Sequence, residues 1–261
     1  MKKGKKLYEG KAKIIFASED KNLVIQHFKD DATAYNNLKK DIIEGKGILN
    51  NRISEHIFAN LSQIGIKNHL VKRINMREQL VKLVEIIPIE FVVRNIATGS
   101  LTKRLGIEDG TVLEYPLIEY CLKNDELGDP LVSREHILAF KWMDIIELDW
   151  INEEIKRIND FLQGMFRGVG IKLVDFKVEF GRVQDDEKNE IILADEISPD
   201  TCRLWDVKND KKLDKDRFRK DLGNLIEAYQ EVARRLDILH EQSNVRPLKF
   251  SKPKEVKIKK K

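Results

Sequence analysis

The sequence has 261 residues, 41% hydrophobic and 35% charged, enough to bury a sizeable core in one large domain or two small ones sharing a cleft. Its formal charge of +4 sits largely in residues 249–261, so the body is close to neutral and a nucleic-acid-binding core is not indicated. The two cysteines, Cys121 and Cys202, lack metal-ligand spacing and read as free thiols in a reducing compartment. No apolar run follows the lysine-rich start, and the most apolar stretch, residues 80–93, is broken by Lys82, Glu85, Pro88 and Glu90. Neither a signal peptide nor a membrane span is expected, and the predicted location is cytoplasmic.

Short strands are predicted at residues 5–8, 11–17 and 23–28, separated by Gly10 and by polar turn residues at 18–22. A lysine-rich polar stretch, 29–47, precedes a helix with Leu49, Ile53, Ile57, Leu61 and Ile64 on one stripe. Strand-like runs at 69–74 and 79–87 complete a mainly antiparallel first part. The second part opens with a strand at 90–94 and a short helix from Thr98, then reads as loop between 108 and 129. A long helix is expected over 145–166, with Ile151, Ile155, Ile158, Leu162 and Met165 inward and Gly168 and Gly170 ending it. A strand pair at 171–181 and 190–196 follows. The last helix is expected over 214–239, with Phe218, Leu222, Leu225, Tyr229, Val232 and Leu236 in helical steps. Beyond Ser243 the basic tail has no periodicity and is predicted to be disordered. Strands and helices without regular βαβ alternation predict an α+β architecture with two lobes: residues 1–87, residues 88–243, and the tail 244–261.

The chemistry concentrates in Leu173-Val-Asp-Phe-Lys-Val-Glu-Phe-Gly181, where strand alternation puts Asp175, Lys177 and Glu179 on one face. The next strand ends in Asp195 and Glu196. A hairpin between the two would bring Asp195 beside that face, although the register is not fixed by the sequence. Carboxylates converging at a strand end suit Mg²⁺ held against nucleotide phosphates, and they equally suit a solvated face with cross-strand ion pairs. Arg203, beyond the Ser198-Pro-Asp200 turn, can clamp an anionic substrate or pair with Asp195 or Glu196. Arg94 with Thr98-Gly-Ser100 at a helix start can form a phosphate site, or the hydroxyls can simply cap the helix. Lys11 and Lys13 share one face of an N-terminal hairpin, as a phosphate cover or as a charged edge strand. Gly45-Lys-Gly47 lacks P-loop spacing.

On these segments the sequence resembles the phosphoribosylaminoimidazole-succinocarboxamide synthase (SAICAR synthetase) family. The runs Ile87-Pro-Ile-Glu-Phe-Val-Val-Arg-Asn-Ile-Ala-Thr-Gly-Ser100 and Leu173–Gly181 look like its two signature motifs, and similarity extends over 7–13, 123–130, 195–205 and 214–236. The resemblance implies a two-lobed fold with antiparallel sheets and an ATP cleft between lobes, distantly similar to ATP-grasp enzymes and protein kinases. It implies the reaction of ATP, carboxyaminoimidazole ribonucleotide (CAIR) and L-aspartate to give SAICAR, ADP and phosphate in purine biosynthesis. By the same likeness Lys11, Ala12 and Lys13 cover the ATP phosphates, Lys82 and Glu85 border the adenine, and Glu179 and Asp195 hold Mg²⁺. Arg94, Ser100 and Arg203 bind the ribonucleotide, Asp175 and Lys177 line the reacting centre, and Lys123 to Asp129 form an aspartate-side loop. A homo-oligomer is expected from the resemblance alone. Tyr35-Asn36 departs from the Gly-Asp of some relatives, and the basic tail is no part of the family pattern. A kinase would share the lysines and carboxylates, but the His-Arg-Asp and Asp-Phe-Gly patterns are missing; a nucleic-acid binder would rest on the tail alone.

Overall fold

The computed structural model describes residues 3–34, 39–185 and 188–239. The basic tail and the Tyr35-Asn36 departure lie outside the described residues.

A first antiparallel sheet holds β1 (Lys6–Glu9), β2 (Lys13–Ala17), β3 (Leu23–Phe28), β6 (Leu70–Arg73) and β7 (Glu78–Lys82), in the order β1-β2-β3-β7-β6. Between β3 and β6, β4 (Asp31–Ala34) and β5 (Lys39–Ile42) form a separate two-stranded sheet within the lysine-rich polar stretch, to which the sequence reading assigns no strand. Helix α1 (Lys46–Gln63) then buries Leu49, Ile53, Ile57 and Leu61 as the periodicity requires, whereas Ile64, already the C-cap, is exposed. The helix begins one residue into Gly45-Lys-Gly47, and both glycines are needed. Gly45 has φ 86°, and a Cβ on Gly47 would lie 2.5 Å from the Phe28 carbonyl oxygen.

The second sheet runs β10-β9-β8-β11-β12, with β13 also on β11. Its strands are β8 (Val84–Ile96), β9 (Val112–Leu122), β10 (Leu131–Val132), β11 (Ile171–Asp185), β12 (Lys188–Ala194) and β13 (Cys202–Asp206). The break between strands falls at Leu83, not at Pro88, so the expected boundary at 87/88 lies inside β8. A register shift opposite residues 86–90 accommodates Pro88, which cannot donate to a ladder. The expected loop at 108–129 is instead largely β9. Its signal is masked because Val112, Tyr115 and Leu117 are exposed and Pro116 interrupts the alternation; only the two-residue β10 covers its far side. α2 (Ser100–Leu105) starts at Ser100, and α3 (Arg134–Ala139) precedes α4 (Ile145–Gly168).

α4 is opened by an Asp144–Glu147 capping box. It buries Ile151, Ile155, Ile158, Leu162 and Phe166, with Met165 only partly buried. The final helix is not continuous. α5 (Asp216–Arg219) and α6 (Leu225–Arg235) are separated by Asp221, Gly223 and Asn224, all at positive φ, and Leu222 is exposed. Helical spacing of apolar residues survives such a break, but the Gly223-Asn224 pair tolerates the left-handed turn that a helix interior does not. Among the described residues no helix is long and apolar enough to cross a membrane.

Candidate active site

The site forms where the long strand β11 changes partner. On one side Asp175 to Val183 of β11 pair with β8; on the other, Glu179 to Asp185 pair with β12 and Ile171 to Phe176 with β13. The chain leaves β12 at Ala194, opposite Glu179, crosses as a buried loop, and re-enters at Cys202, opposite Phe176. Within that loop Glu196, Ser198 and Asp200 are buried. Lys177 sits at the gap, its backbone N–H donating to the Thr201 carbonyl at 2.9 Å. A cleft of about 700 Å³ opens here, walled on its other side by Tyr8, Gly10 and Lys11 to Lys13.

Two clusters share this cleft. In the first, Lys177 Nζ lies 2.5 Å from Glu179 Oε1, 3.0 Å from Glu90 Oε1 and 3.3 Å from Asp195 Oδ2. Lys13 reaches across from the first sheet to Asp195, and lies 3.0 Å from Glu196; Lys123 pairs with Glu179. Burial opposes charge on Lys13, but Asp195 and Glu196 outweigh it and raise its pKa. Lys177 is likewise raised, its burial overcome by Glu179, Asp195 and Glu90. Burial pushes Asp195 upward, yet Lys13, Lys177 and Lys123 hold it well below the usual carboxylate range. Glu179 is lowered against burial and the repulsion of Asp195 by Lys177 and Lys123. Lys13, Lys177, Asp195 and Glu179 therefore stay charged near neutral pH, whereas burial pushes Glu90 upward.

The second cluster is built on Asp175. Its Oδ2 accepts from Arg94 Nη1 at 3.0 Å and from Arg203 Nη1 at 2.6 Å. Arg94 also donates to Glu119 at 2.6 Å and to Ser100 Oγ at 3.2 Å. Arg203 pairs with Asp216 rather than with Asp195 or Glu196. Gly99 makes room for it: a Cβ there would meet Arg203 Nη2 at 2.9 Å, and φ is 64°. The N-cap of α2 is this glycine, and neither hydroxyl caps the helix; Thr98 instead donates to Asp109 at 2.6 Å.

Of the residues anticipated from the sequence, Lys11, Ala12, Lys13, Arg94, Lys123, Asp129, Asp175, Lys177, Glu179, Asp195 and Arg203 line the cleft, and Ser100 is bonded to one of them. Lys11 pairs with Asp125 at 2.6 Å, closing the hairpin over the 123–129 loop. Lys82 and Glu85 are not among the lining residues. Glu90, Asp200, Lys215 and Arg219 line it without having been singled out. The last two lie four residues apart, flanking the apolar stripe of the expected helix, where charged residues are ordinary and carry no signal of a site.

The family model for SAICAR synthetase matches residues 6–236. A phosphoribosylaminoimidazole-succinocarboxamide synthase of Pelagibacter ubique is 74% identical over 260 residues, covering 100% of both chains. The crystal structure of the synthase of that name from Ehrlichia chaffeensis is 55% identical, with a TM-score of 0.89 over 90% of this chain and 100% of that one. A SAICAR synthetase solved in complex with ADP is 44% identical, with a TM-score of 0.84, covering 88% of this chain and 96% of its own. Matched in sequence and in fold along nearly its whole length, the chain belongs to the SAICAR synthetase family and is a ligase of purine biosynthesis.

Proposed function

We propose that the cleft binds ATP, CAIR and L-aspartate, and that it joins the CAIR carboxylate to the aspartate amine, giving SAICAR, ADP and phosphate in the cytoplasm. The observation that carries this reading is the adjacency of the two clusters along β11. A lysine–carboxylate group suited to phosphates and metal stands two residues from an arginine pair suited to an anionic ribonucleotide.

A carboxylate is a poor acyl donor because its leaving group would be oxide. Transfer of the γ-phosphoryl group to it gives an acyl phosphate; the amine then attacks the carbonyl carbon and phosphate leaves with the C–O electron pair. Lys13 and Lys177, both held charged, offset negative charge on the transferring group. Arg94, Arg203 and Ser100 hold the ribonucleotide in line, and Lys11 to Lys13 cover the phosphates of ATP. In this reading Lys82 and Glu85 approach the adenine from outside the lined cleft, and Lys123 to Asp129 face the aspartate.

The donor set fits Mg²⁺. Glu179 and Asp195 are close enough for Asp195 to raise the Glu179 pKa, and two carboxylates are what this ion takes when phosphates and waters complete its shell. No larger acidic or histidine cluster of metal-binding size occurs among the described residues. When bound, the ion neutralises charge on the phosphates. The reading includes a homo-oligomeric assembly, testable by light scattering. The chemistry is tested by ADP release with CAIR present, with and without aspartate: SAICAR must form only with aspartate. A phosphorylated product without amide would assign a kinase instead.

A further inference from the structure

The arginines that share Asp175 are each held from their far side by a second carboxylate. Glu119 Oε2 accepts from Arg94 Nε at 2.6 Å, and its other oxygen accepts from Arg104 Nη2. Asp216 accepts from Arg203 Nε at 3.1 Å and from Arg219 at 2.7 Å. Charges of opposite sign thus alternate from Arg104 on α2, through the Asp175 cluster, to Arg219 at the end of α5. The side chains of Arg94, Glu119 and Asp175 are 6%, 10% and 5% exposed, so water does little to loosen these bonds.

Strand order explains the geometry at Arg94. β8 lies between β9 and β11, and Arg94 stands opposite Asp175 on one side and Leu117 on the other. Glu119, two residues beyond Leu117 on β9, is therefore its diagonal neighbour on the same face. The guanidinium is stretched between the two carboxylates. Nε is on Glu119, Nη1 donates to Asp175 at 3.0 Å and to the Thr98 carbonyl at 3.5 Å, and Nη2 reaches Ser100 Oγ at 3.2 Å. A planar donor fork held at both edges has one orientation, and a fork held by Asp175 alone is free to turn about that bond. Burial pushes the Glu119 carboxyl upward, but Arg104 and Arg94 hold it below its ordinary value, so both pairs are ionic.

We infer that Glu119 is a positioning residue for the ligase reaction: it holds Arg94 Nε from the β9 side and so fixes the guanidinium plane that presents Nη2, beside Ser100, to the anionic ribonucleotide. The inference rests on the role given above to Arg94. Arg94 and Asp175 line the cleft and Glu119 does not, so Glu119 acts through Arg94.

The test compares Glu119→Gln, which keeps the shape and removes the charge, with Arg94→Lys and with the two combined. Glu119→Gln is expected to raise KM for CAIR by about tenfold, with kcat and KM for ATP within about twofold of the parent. Arg94→Lys has no Nε, so adding Glu119→Gln to it should change KM for CAIR by less than about twofold. Effects that multiply in the double variant would show that Glu119 acts elsewhere and overturn the inference. A merely structural role, seen as equal rises in KM for CAIR and ATP or as a lowered melting temperature with KM for CAIR unchanged, does the same. Arg104→Gln leaves the Arg94 bond in place and should keep KM for CAIR near the parent value. A rise equal to that of Glu119→Gln would mean that Glu119 works by anchoring α2, against the inference. If Glu119→Gln does not fold, Glu119→Asp, which draws the same charge back by a methylene, should raise KM for CAIR in smaller degree, and a parent-like value would overturn the inference. Arg94→Lys separates the two levels. If its KM for CAIR is that of the parent, the role of Arg94 fails; if that KM rises while Glu119→Gln matches the parent, only the positioning role fails.

Discussion

Lys46 donates to Asp200 at 2.6 Å across 154 residues of sequence, with both side chains shielded from solvent. The other Asp200 oxygen accepts from Tyr229 at 2.5 Å, so the pair ties the first turn of α1 and the middle of α6 to the loop that carries the active-site carboxylates. Removing one partner of a buried pair costs about 3–5 kcal/mol, because the charge left behind has lost its compensation. Lys215, 4.0 Å from Asp200, softens the loss. Lys46→Met is therefore expected to destabilise by about 3 kcal/mol, lowering the melting temperature by roughly 6–12 °C. Denaturant unfolding at neutral pH measures it, and a loss within experimental error would show that Lys215 fully replaces Lys46.

The same aspartate sets a pH dependence. Burial pushes Asp200 upward, but Lys215, Lys46 and the Tyr229 hydroxyl hold it below its ordinary value of 3.8. A carboxylate with a depressed folded pKa binds protons more readily when unfolded. Its contribution is complete above about pH 4 and is lost as pH falls through the folded value. Asp200→Asn should lower stability at neutral pH and flatten the acid limb below about pH 4. Acid titrations of the two proteins that run parallel throughout would remove Asp200 as a source of acid sensitivity.

Asp195→Asn keeps shape and removes charge. Lys13 would retain Glu196, and Lys177 would retain Glu179 and Glu90, so the fold should persist. Turnover should fall by on the order of 100-fold, with partial recovery at raised Mg²⁺, because a ligand to the ion has been weakened rather than its site abolished. Steady-state rates across an Mg²⁺ series decide this. Unchanged turnover at limiting Mg²⁺ would end the assignment of Asp195 to the metal.

The alternation in Asp175-Phe-Lys-Val-Glu179 was legible because a strand's period is fixed by backbone geometry, and the three charged side chains do share the cleft. The register was not legible: that Glu179 faces Ala194 depends on how far β11 and β12 run, and both extend into residues with ordinary turn composition. β9 was missed because its exposed apolar residues do not alternate with polar ones. The break after α5 was missed because apolar spacing carries across it. Lys46 and Lys215 were invisible for a different reason. A lone lysine gains a role only from a partner distant in sequence, here Asp200, and no local pattern encodes such a meeting.

Arg203 offers the sharpest separation of binding from folding. It shares Asp175 with Arg94 and Asp216 with Arg219, which lies 2.7 Å from Asp216 Oδ1. Each carboxylate would thus keep one cation in Arg203→Ala, and the protein should remain folded. What disappears is a planar donor fork beside the Asp175 cluster, where the ribonucleotide is proposed to lie. A charge-assisted contact of this kind is worth about 1.5–3 kcal/mol, so KM for CAIR should rise roughly 10- to 150-fold while KM for ATP stays near the parent value. Arg203→Lys retains the charge without the fork and should fall between the two. Steady-state titration of each substrate against saturating levels of the others measures the split. Equal rises for CAIR and ATP would mean that Arg203 braces β13 against Asp175 and Asp216 and does not meet the ribonucleotide.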